Sequence, residues 1–157
     1  YYRKGVVFMK EIYKVYRIEN GTVIDHLPGG SALKVLKIIG TNSKDFIAIG
    51  MNLDSSKLGK KDLIKYENKV LAKDETDKLA LLAPGATINI IKDSKVVEKR
   101  KISIPKVLKN LIKCKNPNCI CNKEEMETEF YLVDENKKQY RCKYCEREYL
   151  ITDDFIL

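Results

Sequence analysis

Four cysteines near the C-terminal end of the sequence constrain the fold most. They stand as Cys114-Lys-Asn-Pro-Asn-Cys119 and Cys142-Lys-Tyr-Cys145, two close pairs separated by 22 residues. Two tight knuckles at that spacing predict one tetrahedral Zn²⁺ held by four thiolates, with Zn–S bonds of about 2.3 Å. Four thiolates leave no open coordination position, so such a zinc builds structure and performs no chemistry. The competing reading is two disulfides. No signal peptide is recognisable and the chain is rich in Lys and Glu, which favours a reducing compartment and hence zinc. A fifth thiol, Cys121, could compete as a ligand, but the plainer expectation is a small buried or half-exposed residue. Cys119 is preferred as the ligand because its pair with Cys114 leaves a loop long enough to wrap the metal.

With 157 residues the chain can form one ordinary domain or two small ones. A zinc module of roughly 45 residues buries little core and needs its metal. The remaining residues can fold alone. Ser103-Ile-Pro105 marks the expected boundary, because Pro105 lacks a donor and restricts its neighbour. The expected domains are therefore 1–103 and 104–157. No apolar run approaches the roughly 18 residues that a membrane span requires.

Charge is divided unevenly. From Cys114 to Leu157 there are seven Lys or Arg against ten Asp or Glu; residues 1–113 hold 23 against 12. A zinc module that binds nucleic acid needs a basic surface to displace counterions from phosphates. Here the zinc half is acidic. An anionic ligand is therefore expected on the other domain, and a zinc-ribbon nucleic-acid binder is the less favoured alternative.

Along the chain, residues 1–8 read as a short tail and Met9 as the functional start. Glu11–Ile18 and Thr22–Asp25 are expected strands around an Asn20-Gly21 turn. A helix follows, with Ser31 as N-cap, Gly40 at its end and Ala32, Val35, Leu36 and Ile39 on one face. Phe46–Leu53 and Asp62–Glu67 read as strands. Asp74 is expected to cap a second helix running to Leu82, with Leu79 and Leu82 inward. Thr87–Lys92 and Lys95–Arg100 form a hairpin over Asp93-Ser94. This order predicts an α+β domain: a mainly antiparallel sheet with two helices on one face. In the small all-β zinc domain, strands are expected at Phe130–Val133, Gln139–Cys142 and Glu148–Ile151.

The lone histidine, His26, follows Asp25. Neighbouring residues on a strand face opposite ways, which argues against an Asp–His catalytic dyad. No nucleophile elbow, Walker A loop or G-x-G-x-x-G occurs. A ligand-facing donor suits His26 better. Lys60, Lys61, Lys65, Lys99, Arg100 and Lys101 can converge with Asp25 and Asn89 if their strands are neighbours. Converging cations suit a triphosphate and a carboxylate suits ribose hydroxyls.

Five segments are familiar in this order: Gly21-Thr-Val-Ile-Asp-His26, Gly59-Lys-Lys-Asp-Leu-Ile-Lys65-Tyr-Glu-Asn68, Leu79-Ala-Leu-Leu-Ala-Pro84, Ala86-Thr-Ile-Asn89 and the four-cysteine pattern. Together they closely resemble the regulatory chain of aspartate carbamoyltransferase, from about Val15 to Glu148. The resemblance implies a ferredoxin-like, non-catalytic chain of pyrimidine biosynthesis in the cytoplasm. Its N-terminal domain would bind CTP, ATP and UTP as allosteric effectors. Its zinc domain would dock on a separate catalytic chain, with regulatory homodimers bridging catalytic trimers. By the same resemblance Asp25 and Lys65 meet the ribose, and His26, Lys61, Asn89 and Lys99 approach the phosphates. Ile18 faces the base, with Val15, Val23, Ile91 and Val96 nearby. Ser94 stands where a tyrosine is usual beside the base, and Tyr16 and Arg17 fall in a poorly matching stretch. Cys114, Cys119, Cys142 and Cys145 match the zinc ligands. Asn116, Asn118, Lys143 and Arg147 match the surface facing the catalytic chain, the last replacing a lysine.

Overall fold

The computed structural model describes residues 17–157. The expected tail, the start at Met9, Val15, Tyr16 and nearly all of the first expected strand lie outside them. Contacts divide the chain into two compact units. One comprises residues up to Leu71 together with Gly85–Lys101; the other comprises Ala72–Pro84 together with Ile102–Leu157.

The first unit is built on strands β1 (Gly21–Pro28), β2 (Phe46–Ser55), β3 (Gly59–Glu67), β4 (Thr87–Lys92) and β5 (Lys95–Lys101), with helix α1 (Ala32–Ile39) between β1 and β2. Their order across the sheet is β2-β3-β1-β4-β5, and every pairing is antiparallel. The β4-β1-β3-β2 portion is the ferredoxin-like arrangement, with β5 added as an edge. Ile64, Ile24 and Ile88 align across β3, β1 and β4 and are buried. Helix α1 packs on β2 and β3, burying Ala32 and Val35.

Glycine is required at position 21, where a Cβ would lie 1.9 Å from the Tyr66 carbonyl oxygen. The expected two-residue turn there is instead a bend with a close backbone approach. At the β4–β5 tip, Asp93 and Ser94 both take positive φ, 51° and 62°, as a tight hairpin turn demands. The Ser94 N–H donates to the Glu19 carbonyl at 2.8 Å, which pins the tip to the segment before β1.

Besides a register shift between Ile90 and Ile91 in the β4–β5 pairing, two bulges interrupt the sheet, between Ile24 and Leu27 on β1 and between Gly50 and Leu53 on β2. His26 and Asn52 occupy them with φ of 59° and 56°. Buried Asp62 lies between the two. Its Oδ1 accepts the Asn52 N–H at 2.9 Å and its Oδ2 the Ala32 N–H at 2.8 Å. The expected capping by Ser31 is thus replaced, because the Ser31 hydroxyl donates back to the Pro28 carbonyl. Gly40 ends α1 as expected, its N–H donating to the Leu36 carbonyl at 2.8 Å.

The second unit joins helix α2 (Lys73–Leu82) to a sheet of β6 (Val107–Lys109), β7 (Glu129–Asp134), β8 (Gln139–Cys142) and β9 (Glu148–Leu150), in the order β6-β7-β8-β9. A short helix, α3, spans Ile120–Lys123. Leu81, Leu108, Ile112, Phe130, Tyr140, Ile151 and Phe155 share one core with the buried cysteines. This explains a departure from expectation: α2 is grouped with the cysteine-rich unit rather than with the first sheet, because Leu81 is one of that core's buried residues. Leu81, not Leu82, is the buried partner of Leu79. Lys138 Nζ donates to the Leu81 carbonyl at 3.0 Å, a cation placed at the helix C-terminus. Asp74 lies inside the first turn instead of capping it; Glu75 Oε1 accepts the Ala72 N–H. The supposed linker is also fastened, since the Tyr140 hydroxyl donates to the Pro105 carbonyl at 2.5 Å. Among the described residues no helix is long and apolar enough to cross a membrane.

Candidate functional site

Strand register assembles the first site. Lys65 pairs with Val23, Val23 with Asn89 and Asn89 with Lys99, so these four form one row across β3, β1, β4 and β5. Directly opposed residues share a face. The row therefore carries a cation at each end and an amide between. Its apolar floor is Ile18, Val23 and Leu63, packed against half-buried Leu53 and Ile91. Ile91 pairs with Val96, which is half exposed.

Asp25, two residues beyond Val23, forms an ion pair with Lys61 at 2.9 Å. Burial raises the Asp25 carboxyl pKa. The Lys61 hydrogen bond, the His26 backbone N–H at 2.6 Å and the charge of Lys61 outweigh it and hold the group below its ordinary value. Lys65 is displaced downward, first by burial and then by repulsion from Arg17, with Asp25 opposing. Two cations held near each other in a half-buried site are poised for an anion. Asn89 Oδ1 is buried and has no hydrogen-bond partner among the described residues. A buried orphan acceptor costs about 1–3 kcal/mol and is satisfied if a ligand brings a donor.

His26 departs from simple strand alternation because it occupies the bulge. Asp25 receives its backbone N–H rather than its ring. The ring Nδ1 instead pairs with Thr87 Oγ1 at 2.9 Å. An Asp–His dyad is absent, for this reason and not because of alternation. Arg17, Thr87 and Leu63 were not singled out from sequence. Thr87 and Leu63 were accessible by period-two counting from Asn89 and from Lys61 and Lys65. Arg17 gave no signal, since its proximity to Lys65 depends on how the chain enters β1.

The second site is a sulfur cluster. Sγ of Cys114 lies 3.7 Å from Cys145, and Sγ of Cys119 lies 3.8 Å from Cys142. A tetrahedron with metal–sulfur bonds of about 2.3 Å has S···S edges of about 3.8 Å. The two contacts that link the predicted pairs match that edge. The knuckles also supply N–H donors: Asn116 to Cys114, Tyr144 and Cys145 to Cys142, and Arg147 to Cys145. Burial drives the Cys142 thiol up to about 12 and Cys114 upward. Cys145 falls to about 7 despite burial, because the Arg147 N–H, the Asn116 side chain and its sulfur neighbours favour its thiolate. One thiolate forms readily and its neighbours resist, a donor set completed by a cation. Cys121 joins Cys114, Cys119 and Cys142 in a set whose sulfurs all lie within 4.8 Å of one another. It lies inside the sulfur cluster rather than beside it.

Of the four expected docking residues, Asn118, Lys143 and Arg147 are exposed. Lys143 pairs with Glu129 at 2.7 Å. Asn116 is 7 % exposed, and its Oδ1 accepts the Asn118 N–H at 3.1 Å. It shapes its loop from within.

A cationic, amide-bearing sheet face and a separate cysteine cluster define a two-unit chain with a candidate anion site and a candidate metal site. A family model described as aspartate carbamoyltransferase regulatory chain, allosteric domain, matches residues 13–103, and one for the metal binding domain of the same chain matches residues 106–154. Proteins named aspartate carbamoyltransferase regulatory chain are similar throughout. That of Methanococcus maripaludis is 50% identical over 139 residues, covering 88% of this chain and 94% of its own. That of Pyrococcus horikoshii is 48% identical over 137 residues, covering 85% and 90%, and that of Korarchaeum cryptofilum 47% over 152, covering 94% and 96%. The chain belongs to the family of aspartate carbamoyltransferase regulatory chains, which are non-catalytic subunits.

Proposed function

We propose that this chain is a nucleoside-triphosphate sensor that controls an aspartate carbamoyltransferase catalytic chain in pyrimidine biosynthesis, in the cytoplasm. The observation that carries this is the row Lys65, Val23, Asn89, Lys99, with the unsatisfied Asn89 Oδ1 at its middle. Lys61 and Lys99 neutralise the phosphates, His26 bonds them, and Asn89 donates there through its Nδ2. Asp25 and Lys65 take the ribose. Ile18, Val23, Ile91 and Val96, with Val15, receive the base of CTP, ATP or UTP. The side chain at position 94 is too short to cover a base as a tyrosine would, so base contacts rest on the apolar floor.

Effectors act through differential affinity. A nucleotide shifts a two-state assembly only as far as it binds the two states unequally, typically about 1–3 kcal/mol. Zinc on Cys114, Cys119, Cys142 and Cys145 supplies folding energy to the second unit. It thereby holds the loop of Asn116 and Asn118, and the knuckle of Lys143 and Arg147, in shape for the catalytic chain. Dimers of this chain would bridge catalytic trimers.

Calorimetric titration of CTP and ATP into the wild-type chain, His26→Ala and Lys99→Ala tests the reading. Loss of a charge-assisted bond of about 1.5–3 kcal/mol weakens binding roughly 10- to 100-fold. Unchanged affinity in both variants would remove the proposed site. Co-purification with the catalytic chain, with zinc content measured on the same sample, tests the docking role.

A further inference from the structure

The chain carries five clustered sulfurs where a tetrahedral metal takes four. Cys114, Cys119 and Cys142 are common to two possible sets. Cys145 completes one of them by its 3.7 Å contact with Cys114. Cys121 completes the other, 3.2 Å from Cys119 and within 4.8 Å of Cys114 and Cys142. The two differ in exposure: Cys121 is buried, whereas Cys145 alone of the five is not. Cys121 is also held in place. It belongs to α3, whose Asn122 side chain donates to the carbonyls of Cys114 at 2.7 Å and Asn116 at 2.8 Å. That double bond-out to the first knuckle ties α3 to the ligand loop.

We infer that Cys121 is a reserve ligand, which takes the place of Cys145 on the metal when Cys145 dissociates or is removed. As the Cys121 sulfur–metal bond forms, the Cys121 thiol releases its proton to water. As the Cys145 bond breaks, that thiolate takes a proton up. The site keeps four thiolates and its net charge. The 3.2 Å contact to Cys119 opens by about half an ångström to reach the tetrahedral edge. The inference rests on the metal reading of this cluster.

Full-length wild-type chain, Cys121→Ser, Cys145→Ser and the double variant are loaded with Co²⁺, whose sulfur charge-transfer absorption reports the number of bound thiolates. Metal content is measured by mass spectrometry. Expected are four-thiolate intensity and one metal in the wild type and in each single variant, and three-thiolate intensity in the double variant. Three-thiolate intensity in Cys145→Ser, unaltered by adding Cys121→Ser, overturns the inference. A second measurement uses chains with Cys145 intact. Transfer of metal to a chelator is expected to be about tenfold faster from Cys121→Ser than from wild type, the scale on which outer partners of metal sites act. An equal rate overturns the inference even if Cys145→Ser does not fold. A wild-type chain that binds no metal overturns the metal reading itself.

Discussion

The Asp62 carboxylate accepts the backbone N–H of Ala32 at 2.8 Å, across thirty residues of sequence. A strand residue thus does the capping of α1. Its other oxygen holds the β2 bulge at Asn52. Among the described residues Asp62 has no paired cation; backbone N–H groups of Asn52, Ala32, Gly30 and Ser31 carry its charge. Burial pushes this carboxyl up, and those four donors more than reverse it, so its folded pKa lies below the ordinary value near 3.8.

Asp62→Asn keeps the shape but loses the charge and makes one oxygen a nitrogen. It is expected to destabilise the first unit by about 2–4 kcal/mol, read from denaturant unfolding. The sign of the pH effect follows. A depressed carboxyl contributes fully above its unfolded pKa, and that contribution is lost as pH falls through the lower folded value. The wild type therefore loses stability below about pH 4, and Asp62→Asn shows a shallower acid limb. Parallel acid limbs would remove Asp62 as the source.

Asn89→Ala separates binding from stability. Removing a buried acceptor without a partner leaves the ligand-free chain as stable as wild type or about 1 kcal/mol more stable. Nucleotide affinity falls roughly 5- to 100-fold in the same variant. Thermal melts with and without CTP measure both. A drop in ligand-free stability would mean that Asn89 serves the fold.

Gly21→Ala places a Cβ 1.9 Å from the Tyr66 carbonyl oxygen, in a backbone with φ of 142°. The β1–β3 pairing must open to admit it. A loss of about 2–4 kcal/mol is expected in chemical denaturation.

Chelation of the metal is expected to unfold the second unit, because its core and its cysteines are one cluster. Near-ultraviolet circular dichroism of Tyr140 and Tyr149 reports the loss, and added Zn²⁺ restores it. Retention of that signal after confirmed metal loss would contradict a structural role for the ion.

Much of this architecture was legible from residue pattern. Periodicity placed α1, β3, β7, β8 and the β4–β5 hairpin, because alternating burial and turn residues such as Asp93 and Ser94 are local signals. The cysteine spacing gave the sulfur cluster for the same reason. Four things were not local. The cap at α1 comes from Asp62 on β3, so Ser31, with the right residue type, was credited instead. The bulge at His26 breaks the alternation on which its orientation was judged. Helix α2 has an amphipathic face that does not say which of two cores it serves; Leu81 chose the distant one. Cys121 looked like a spectator because ligand spacing describes pairs, and only folding brings α3 over the knuckle.

Helix α2 connects β3, which bears Lys65, to β4, which bears Asn89, yet its Leu81 is buried in the core that holds the cysteines. On the proposed reading, stripping the ion is expected to slacken the crossover that joins the strands of Lys65 and Asn89. On that reading, occupancy by a small inorganic ion on one half of the chain would be a precondition for sensing an organic one on the other.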